Sequence, residues 1–238
     1  MIEINGWLIE KALRPIFRKF STLGNKVFFN NEDFPITKVL EDSHLLIKSE
    51  FEKIQGRLDD FAPFQDISPD QVYISNDDKW KMFFLKAGKI RFERNCQEFP
   101  ETMKIIDSEK NLISAYFSVI GPKKMLMPHE GPWCGVLRMH LGLQIPTEGK
   151  GCVLVVNQQE YRWEEGKVVV FDDTYEHIAV NATERNRVVL FLDYMRPLPI
   201  PLSWLNHLVV YMARFLPYVK VPLQKHKEWE RKFYGDAA

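Results

Sequence analysis

The feature that most constrains the fold is a series of short apolar runs between residues 113 and 192. Each run has the length of a β-strand, and turn-forming residues such as Gly, Pro and Asn separate the runs. Long helical patterns do not alternate with them, which disfavours a doubly wound parallel sheet. The series therefore predicts a β-sandwich or barrel, with strands within residues 113–120, 136–145, 152–156, 167–171 and 188–192.

Changes in sequence character divide the chain into three parts. Residues 1–70 contain amphipathic helical patterns and are predicted to form an N-terminal helical extension. Residues 71–197 hold the strand-length runs and are predicted to form the β core. Three closely spaced prolines follow, and residues 198–238 are predicted to form an amphipathic, basic C-terminal extension.

Charge and cysteine content limit the class of protein. Lys plus Arg and Asp plus Glu both number 32, so the formal net charge of zero gives no support for a nucleic-acid partner. The three cysteines show no zinc-like CxxC spacing, which indicates a reducing compartment rather than a secreted disulfide framework. With no secretory signal and no apolar run of membrane-spanning length, we expect a cytoplasmic protein.

Histidine and arginine residues in the strand region form the candidate site. His129 and His177 are far apart in sequence, but each stands beside a predicted strand, and Arg187 begins an apolar strand ten residues after His177. Neutral imidazole suits iron, zinc, copper or nickel, and Arg offers a planar fork for a carboxylate. The pattern fits an Fe(II) site with a carboxylate cosubstrate. Spacing alone leaves the alternative of ordinary surface or hydrogen-bonded histidines open.

Longer motifs surround these residues. The segments HEGPWCGVLRMHLGLQIP and WEEGKVVVFDDTYEH resemble the core motifs of the aspartyl/asparaginyl β-hydroxylase family, which includes bacterial lipid A hydroxylases. The resemblance runs in order from Trp80 to Pro197. It implies a double-stranded β-helix, the jelly-roll or cupin-like fold, with helical extensions at both ends. It also implies a dioxygenase that uses Fe(II), 2-oxoglutarate and O2 to hydroxylate an unactivated C–H bond.

The same resemblance assigns roles to individual residues. It implies that His129 and His177 bind the iron and that Arg187 holds the distal carboxylate of 2-oxoglutarate. Many Fe(II) oxygenases carry a third, carboxylate ligand two residues after the first histidine. Gly131 occupies that position here, as in the family itself.

Four further residues are implied to surround the cosubstrate. Arg138 and His140 match the family's RMHLGL segment, where both side chains contact the cosubstrate region. Ser118 matches a serine that contacts 2-oxoglutarate, and Trp80 matches a tryptophan of the pocket.

The terminal extensions bear on the substrate. Apolar residues between Trp204 and Leu216 cluster on one side of a predicted helix that is too short to span a bilayer, and a Lys- and Arg-rich tail follows. Such a segment can lie on an anionic membrane or simply pack on the core. We expect the substrate to be the acyl chain of a membrane lipid, either lipid A-like or containing an amino acid, and the protein to lie peripherally on the inner face of the cytoplasmic membrane.

Two other functions stay open on the sequence. One is β-hydroxylation of Asp or Asn in a peptide or on a carrier, and the other is a catalytically inactive jelly-roll binding module. The first predicts a polar groove instead of an apolar tunnel. The second is disfavoured because His129, His177 and Arg187 are all intact.

Overall fold

The strands of the computed structural model form two antiparallel sheets. The structure describes residues 2–88, 90–149 and 151–235, so the outermost residues of both predicted extensions, Met1 and 236–238, lie outside it. The strands are β1 Phe28–Phe29, β2 Ala62–Pro63, β3 Trp80–Ala87, β4 Ile90–Arg91, β5 Leu112–Ile120, β6 Lys124–His129, β7 Val136–Gln144, β8 Cys152–Val156, β9 Gln159–Arg162, β10 Val168–Phe171, β11 His177–Asn181 and β12 Arg187–Met195.

The larger sheet has the order β1-β10-β7-β12-β5-β3-β2, with β4 paired to β3, and the smaller has the order β6-β11-β8-β9. Neighbours that are distant in sequence, such as β10 beside β7 and β11 beside β6, give the crossed connections of a jelly roll. The predicted fold class is confirmed. The region predicted as an N-terminal extension contributes two short strands, β1 and β2, to the edges of the larger sheet.

Helices cover the outside of the larger sheet, and helices also form the first and last elements of the chain. Prolines occupy the first turn of α2, α6 and α8, where the missing N–H costs nothing. Pro15 lies inside α1 and does not end it. The helices are α1 Ile2–Phe20, α2 Pro35–Asp42, α3 His44–Ile54, α4 Phe64–Ile67, α5 Glu93–Gln97, α6 Pro100–Ser108, α7 Leu202–Ala213 and α8 Pro217–Phe233.

Strand β5 shows how the two sheets and the helices make two cores. All nine of its residues are buried, because helices cover one face and the smaller sheet covers the other. Side chains alternate between the faces of a strand. Phe117 therefore packs with Phe51 of α3 and Phe99 beside α6, whereas Tyr116 belongs to the core between the sheets. This double burial explains why β5 is a continuous apolar run in the sequence.

Strands β6, β9 and β11 were not predicted. Strand β6 carries Lys124 and Pro128 with two exposed methionines, and β9 is polar and largely exposed. Such strands at the surface lack the unbroken apolar run that marks β5. Of the helices within the described ranges, none is both long and apolar enough to cross a bilayer.

Helix α8 is attached to the core by a buried histidine. His226 is 1% exposed, packs edge-on against Phe84 and Phe92, and accepts a hydrogen bond at Nε2 from Asn95 Nδ2 at 3.2 Å. Burial lowers the pKa of His226 from 6.5 to about 3. The folded state therefore favours the neutral imidazole. The stability that this provides is complete above pH 6.5 and is lost as the pH falls from 6.5 toward 3.

Replacement of His226 by Leu should make the free energy of unfolding less dependent on pH below pH 6.5. At pH 7.5 the variant loses the Asn95 hydrogen bond, which costs about 1 kcal/mol. At pH 5 the wild type has paid about 2 kcal/mol to keep the imidazole neutral, and the variant has not. Urea unfolding at both pH values measures the free energy of unfolding. The difference between the variant and the wild type should shift in favour of the variant by about 2 kcal/mol from pH 7.5 to pH 5. An equal difference at both values would contradict this account.

Candidate active site

His129 and His177 meet at one end of the smaller sheet. His129 is the last residue of β6 and His177 the first of β11, and these two residues are register partners in the antiparallel pair. Their ring centroids are 4.1 Å apart. Two residues separated by about 50 positions thus present their imidazoles to one point, inside the pocket between the sheets.

Both imidazoles are oriented by the backbone through Nδ1. His129 Nδ1 lies 2.7 Å from the carbonyl oxygen of Met127, and His177 Nδ1 lies 3.0 Å from that of Tyr175. A carbonyl only accepts, so each Nδ1 carries the proton and each Nε2 keeps a free lone pair. Burial lowers the pKa of both rings to about 4, helped for His129 by its neighbour His177. Both rings are therefore neutral at neutral pH, as metal ligands must be.

The carboxylate of Asp173 fills the space beside Gly131. A Cβ built on Gly131 would overlap the carboxyl group of Asp173, and the Gly131 N–H donates to the Asp173 carbonyl at 2.7 Å. The structure thus explains the glycine at the position where many Fe(II) oxygenases have their acidic ligand. Asp173 is 3% exposed, and burial raises its pKa against the influence of Arg138, from which it accepts a hydrogen bond at 2.6 Å.

Replacement of Gly131 by Ala should displace Asp173 and break its contact with Arg138. We expect a loss of about 1–3 kcal/mol in the free energy of unfolding, since the new methyl group has no room. Gly56→Ala is the matched control, because nothing lies within 4 Å of a Cβ built there. Urea unfolding of both variants measures the difference. Equal stability of the two variants would contradict the overlap.

Arg187 is a buried cation without a counter-ion among the described residues. It is 2% exposed, donates from Nη1 to the Ser118 carbonyl at 3.3 Å, and its Nε has no partner. The guanidinium carbon lies 4.3 Å from the ring centroid of Trp163. Burial lowers the pKa of Arg187 only to about 10, so the group stays charged at neutral pH. A buried charge of this kind is costly unless an anion completes it.

Arg138 and His140 lie on the pocket face of β7, with Met139 between them on the helix side. Arg138 is already paired with Asp173 and Asp193, and although burial alone would lower its pKa, these carboxylates raise it well above the ordinary value. His140 differs, because neither ring nitrogen has a hydrogen-bond partner within the described part of the chain. Burial, and then Arg187, lower its pKa well below 6.5. A neutral His140 is thus available to a ligand.

Ser118 and Trp80 line the same pocket from β5 and β3. The Trp80 Nε1–H donates to Ser118 Oγ at 3.1 Å, and the indole stacks on Phe64 with ring centroids 3.8 Å apart. The Ser118 hydroxyl proton stays free to donate. The structure therefore brings together, around one pocket, all seven residues selected from the sequence: Trp80, Ser118, His129, Arg138, His140, His177 and Arg187.

The rest of the pocket wall was not predicted from the sequence. Its apolar side chains come from both sheets, from α4 and from the segment after α4. Their only signal in the sequence is strand alternation, which requires the register of each strand to be known. These residues are Phe64, Ile74, Tyr116, Leu126, Leu154, Phe171, Ala179 and Phe191.

The donor set fits a metal held by two protein ligands. Within the described ranges, no group of three or more His, Cys, Asp and Glu side chains is arranged to hold a metal ion. The two Nε2 atoms of His129 and His177 are nevertheless unprotonated and share one space with the unpaired cation of Arg187. A divalent metal that also binds an anionic small molecule would satisfy all three groups.

Comparisons with known proteins agree with this site. Residues 41–197 match the family model described as aspartyl/asparaginyl beta-hydroxylase. An ornithine lipid ester-linked acyl 2-hydroxylase from Rhizobium tropici is 40% identical over 92% of this chain and 78% of its own length. The human aspartate beta-hydroxylase domain-containing protein 2 is 31% identical over 67% of this chain, and the chain spans 44% of that relative.

The human aspartyl/asparaginyl beta-hydroxylase is 31% identical over 54% of this chain, which spans only 17% of that protein. Among solved structures, a cupin domain of an XRE family transcriptional regulator from Enterobacter cloacae aligns with 49% of this chain and 96% of its own, at 11% identity and a TM-score of 0.34. The family match covers more than half of the chain and all seven site residues. The chain belongs to the aspartyl/asparaginyl β-hydroxylase family.

Proposed function

We propose that this chain is an Fe(II)- and 2-oxoglutarate-dependent hydroxylase whose substrate is the acyl chain of an amino-acid-containing membrane lipid. The observation that carries the cosubstrate is the buried, unpaired guanidinium of Arg187 in the same pocket as His129 and His177. A dicarboxylate can give one carboxylate to Arg187 and its other end to the metal. A pocket for a neutral ligand alone would leave the buried cation uncompensated.

The proposal gives the polar residues around the metal position the following roles. His129 and His177 would hold the metal through Nε2, and Arg187 would hold the distal carboxylate, with the Ser118 hydroxyl as a further donor. Bound Fe(II) would supply the activation of O2, coupled to decarboxylation of 2-oxoglutarate and insertion of one oxygen atom into a C–H bond. The Arg138–Asp173 ion pair lines the pocket with the histidines, and the apolar wall would exclude water.

The extent of similarity supports a lipid over a peptide substrate. The Rhizobium tropici relative, whose name specifies an ornithine lipid, matches across 92% of the chain, which includes much of the terminal extensions. The human relative named an aspartyl/asparaginyl beta-hydroxylase matches over 54% of the chain. The apolar side chains of Ile74, Leu126, Leu154 and Ala179 also suit an acyl chain better than a polar peptide backbone.

Lipid mass spectrometry tests the substrate. The chain is expressed in a bacterium that makes ornithine lipids, beside His177→Ala and Arg187→Met as inactive controls. We expect an ornithine lipid one oxygen atom heavier with the wild type only, and fragmentation should locate the oxygen on the ester-linked acyl chain. An unchanged lipid profile with folded wild-type protein would contradict the lipid assignment and favour Asp or Asn β-hydroxylation.

A further inference from the structure

Helix α7 is amphipathic in an unusual sense, because its packed face is small and partly polar while its apolar face is exposed. Its contact with the core uses Leu202, Asn206 and Val210, spaced by four residues. Asn206 is 1% exposed, accepts from Trp133 Nε1 at 2.8 Å and donates to the Gly135 carbonyl at 2.7 Å. These contacts fix which face of the helix points outward.

The outward face carries a stripe of large apolar side chains. Trp204, Leu208, Tyr211 and Phe215 follow one another at spacings of four, three and four residues, so they lie on one side of the helix. Their exposed fractions are between 53% and 67%. Ile200 and Met212 beside them are also more than half exposed. Six large apolar side chains, each more than half exposed and next to one another on a globular protein, mark an interaction surface.

The charged residues that accompany the stripe along the sequence are of one sign. From Tyr194 to Lys227 the sequence has no Asp or Glu, although the whole chain is neutral. Arg214, Lys220, Lys225 and Lys227 are exposed in this stretch. Arg214 lies over the rings of Tyr211 and Phe215, at 4.6 and 4.8 Å from their centroids. An exposed apolar stripe with Trp and Tyr, in a stretch of chain whose formally charged residues are all basic, is complementary to an anionic lipid surface.

The packed face of α7 is joined to a segment of the chain that lines the pocket. Glu130, Gly131 and Pro132 line the pocket, and the next residue, Trp133, contacts α7 through Asn206 and α1 through Phe17, with ring centroids 5.5 Å apart. Arg14 of α1 donates to the Glu130 carboxylate at 2.8 Å. Helix α7 therefore packs against the residue that directly follows three pocket-lining residues.

We propose that the exposed face of α7, with its basic neighbours, docks the protein on an anionic lipid bilayer and holds the mouth of the pocket at the interface. The inference rests on the proposed function, since it explains how an acyl chain reaches the site. The occupant is a bilayer and not a second copy of this chain, because two copies would bring their basic residues together. Trp204 and Tyr211 suit the headgroup region, and Leu208 and Phe215 suit the acyl boundary.

Binding to vesicles tests the docking without any need for turnover. The probes are sucrose-loaded vesicles of phosphatidylglycerol and phosphatidylcholine, with pure phosphatidylcholine vesicles for comparison. We expect the wild type to sediment with the anionic vesicles, and Leu208→Ser/Phe215→Ser to bind at least about tenfold more weakly. The matched control is Val39→Ser/Leu45→Ser, because those side chains are exposed on α2 and α3 and lie outside the stripe. It should bind as the wild type does.

A spectroscopic readout locates the contact. The chain has 6 Trp residues, so brominated lipids should quench part of the wild-type fluorescence, and Trp204→Phe should remove that part. Arg214→Glu/Lys220→Glu should weaken binding to the anionic vesicles only. Equal vesicle binding by the wild type and Leu208→Ser/Phe215→Ser would overturn the docking. So would a dimer, seen by light scattering, that the same substitutions dissociate.

Turnover separates this inference from the proposed function. Ornithine lipid is supplied either in anionic vesicles or in detergent micelles. We expect Leu208→Ser/Phe215→Ser to lower the ratio of turnover in vesicles to turnover in micelles by about tenfold. Stripe-dependent vesicle binding without any turnover of lipid would support the docking while contradicting the lipid substrate. Turnover with an unchanged ratio would support the substrate and overturn the docking.

Discussion

Arg187→Met is expected to weaken 2-oxoglutarate binding strongly while leaving the apo-protein at least as stable as the wild type. A bidentate carboxylate contact provides two charge-assisted hydrogen bonds at about 1.5–3 kcal/mol each. Their loss corresponds to a fall of about 10²–10⁴-fold in affinity. The buried guanidinium has no anion in the described part of the protein, so its replacement by an apolar side chain of similar length removes a desolvation cost. We expect a gain of up to about 2 kcal/mol in the free energy of unfolding.

Binding of 2-oxoglutarate with Mn(II) in place of Fe(II) measures the first effect, and urea unfolding measures the second. Arg185→Met is the matched control, two residues away. Arg185 is exposed and pairs with Glu148 at 2.7 Å, so its loss should change neither quantity by much. A stable Arg187→Met variant that still binds the cosubstrate would contradict the assignment of Arg187. A variant destabilised like a truncated core residue would show that the arginine is structural.

Asp172→Ala is expected to lower the free energy of unfolding by about 3–5 kcal/mol, a larger loss than that expected for Gly131→Ala. Asp172 and Arg196 are both fully buried and form an ion pair at 2.6 Å. Asp172 also accepts from Arg18 of α1 at 3.2 Å and from the Thr174 backbone N–H at 3.0 Å. Removal of the carboxylate leaves the Arg196 charge buried without a partner. Because the turn from Asp172 leads into His177, the geometry of the site should loosen with it.

Urea unfolding of Asp172→Ala beside Glu148→Ala checks this prediction. Glu148 forms an exposed pair with Arg185, and such solvent-screened pairs contribute little to stability. The contrast between the two variants isolates the effect of burial. A loss of less than about 1 kcal/mol for Asp172→Ala would contradict the role of the buried pair.

The strands that form unbroken apolar runs could be predicted from the sequence, including β8, whose residues alternate between buried and half-buried, whereas the strands with polar residues at the surface could not. Strand β5 is an unbroken apolar run because helices and the smaller sheet both cover it. Strand β11, which carries His177, alternates between buried and half-buried residues and contains a register shift against β6. The pairing of His129 with His177 therefore could not be obtained from periodicity, and only the longer motifs around the two histidines indicated it.

The terminal helices show the same limit. The sequence places Trp204, Leu208 and Phe215 on one side of α7, but an apolar face normally predicts contact with a core. The structure instead packs the helix through Asn206, whose amide satisfies Trp133 and Gly135. In α1, Phe17 is buried whereas Ile16 and Phe20 are exposed. A polar residue that anchors a helix carries no signal in hydrophobic periodicity, so the exposed face could not be predicted.

The pairing of Arg138 with Asp173 and Asp193 was also beyond the sequence, because the three residues come from β7, the turn before β11, and β12. The resemblance placed Arg138 at the cosubstrate. In the structure its charge is already compensated, whereas that of Arg187 is not. Arg187 is thus identified as the arginine that can bind an anion, because it has no carboxylate partner among the described residues. Only the folded structure shows this difference between the two arginines.

The central claim is that His129, His177 and Arg187 form one site for Fe(II) and 2-oxoglutarate. Anaerobic addition of both to the purified protein, followed by visible absorption spectroscopy, tests it without a substrate. His226→Leu serves as the control, since His226 is buried away from the pocket. We expect a metal-to-ligand charge-transfer band in the wild type and in the control, its loss in His177→Ala, and its weakening in Arg187→Met. Absence of the band in folded wild-type protein, or its persistence in His177→Ala, would contradict the claim.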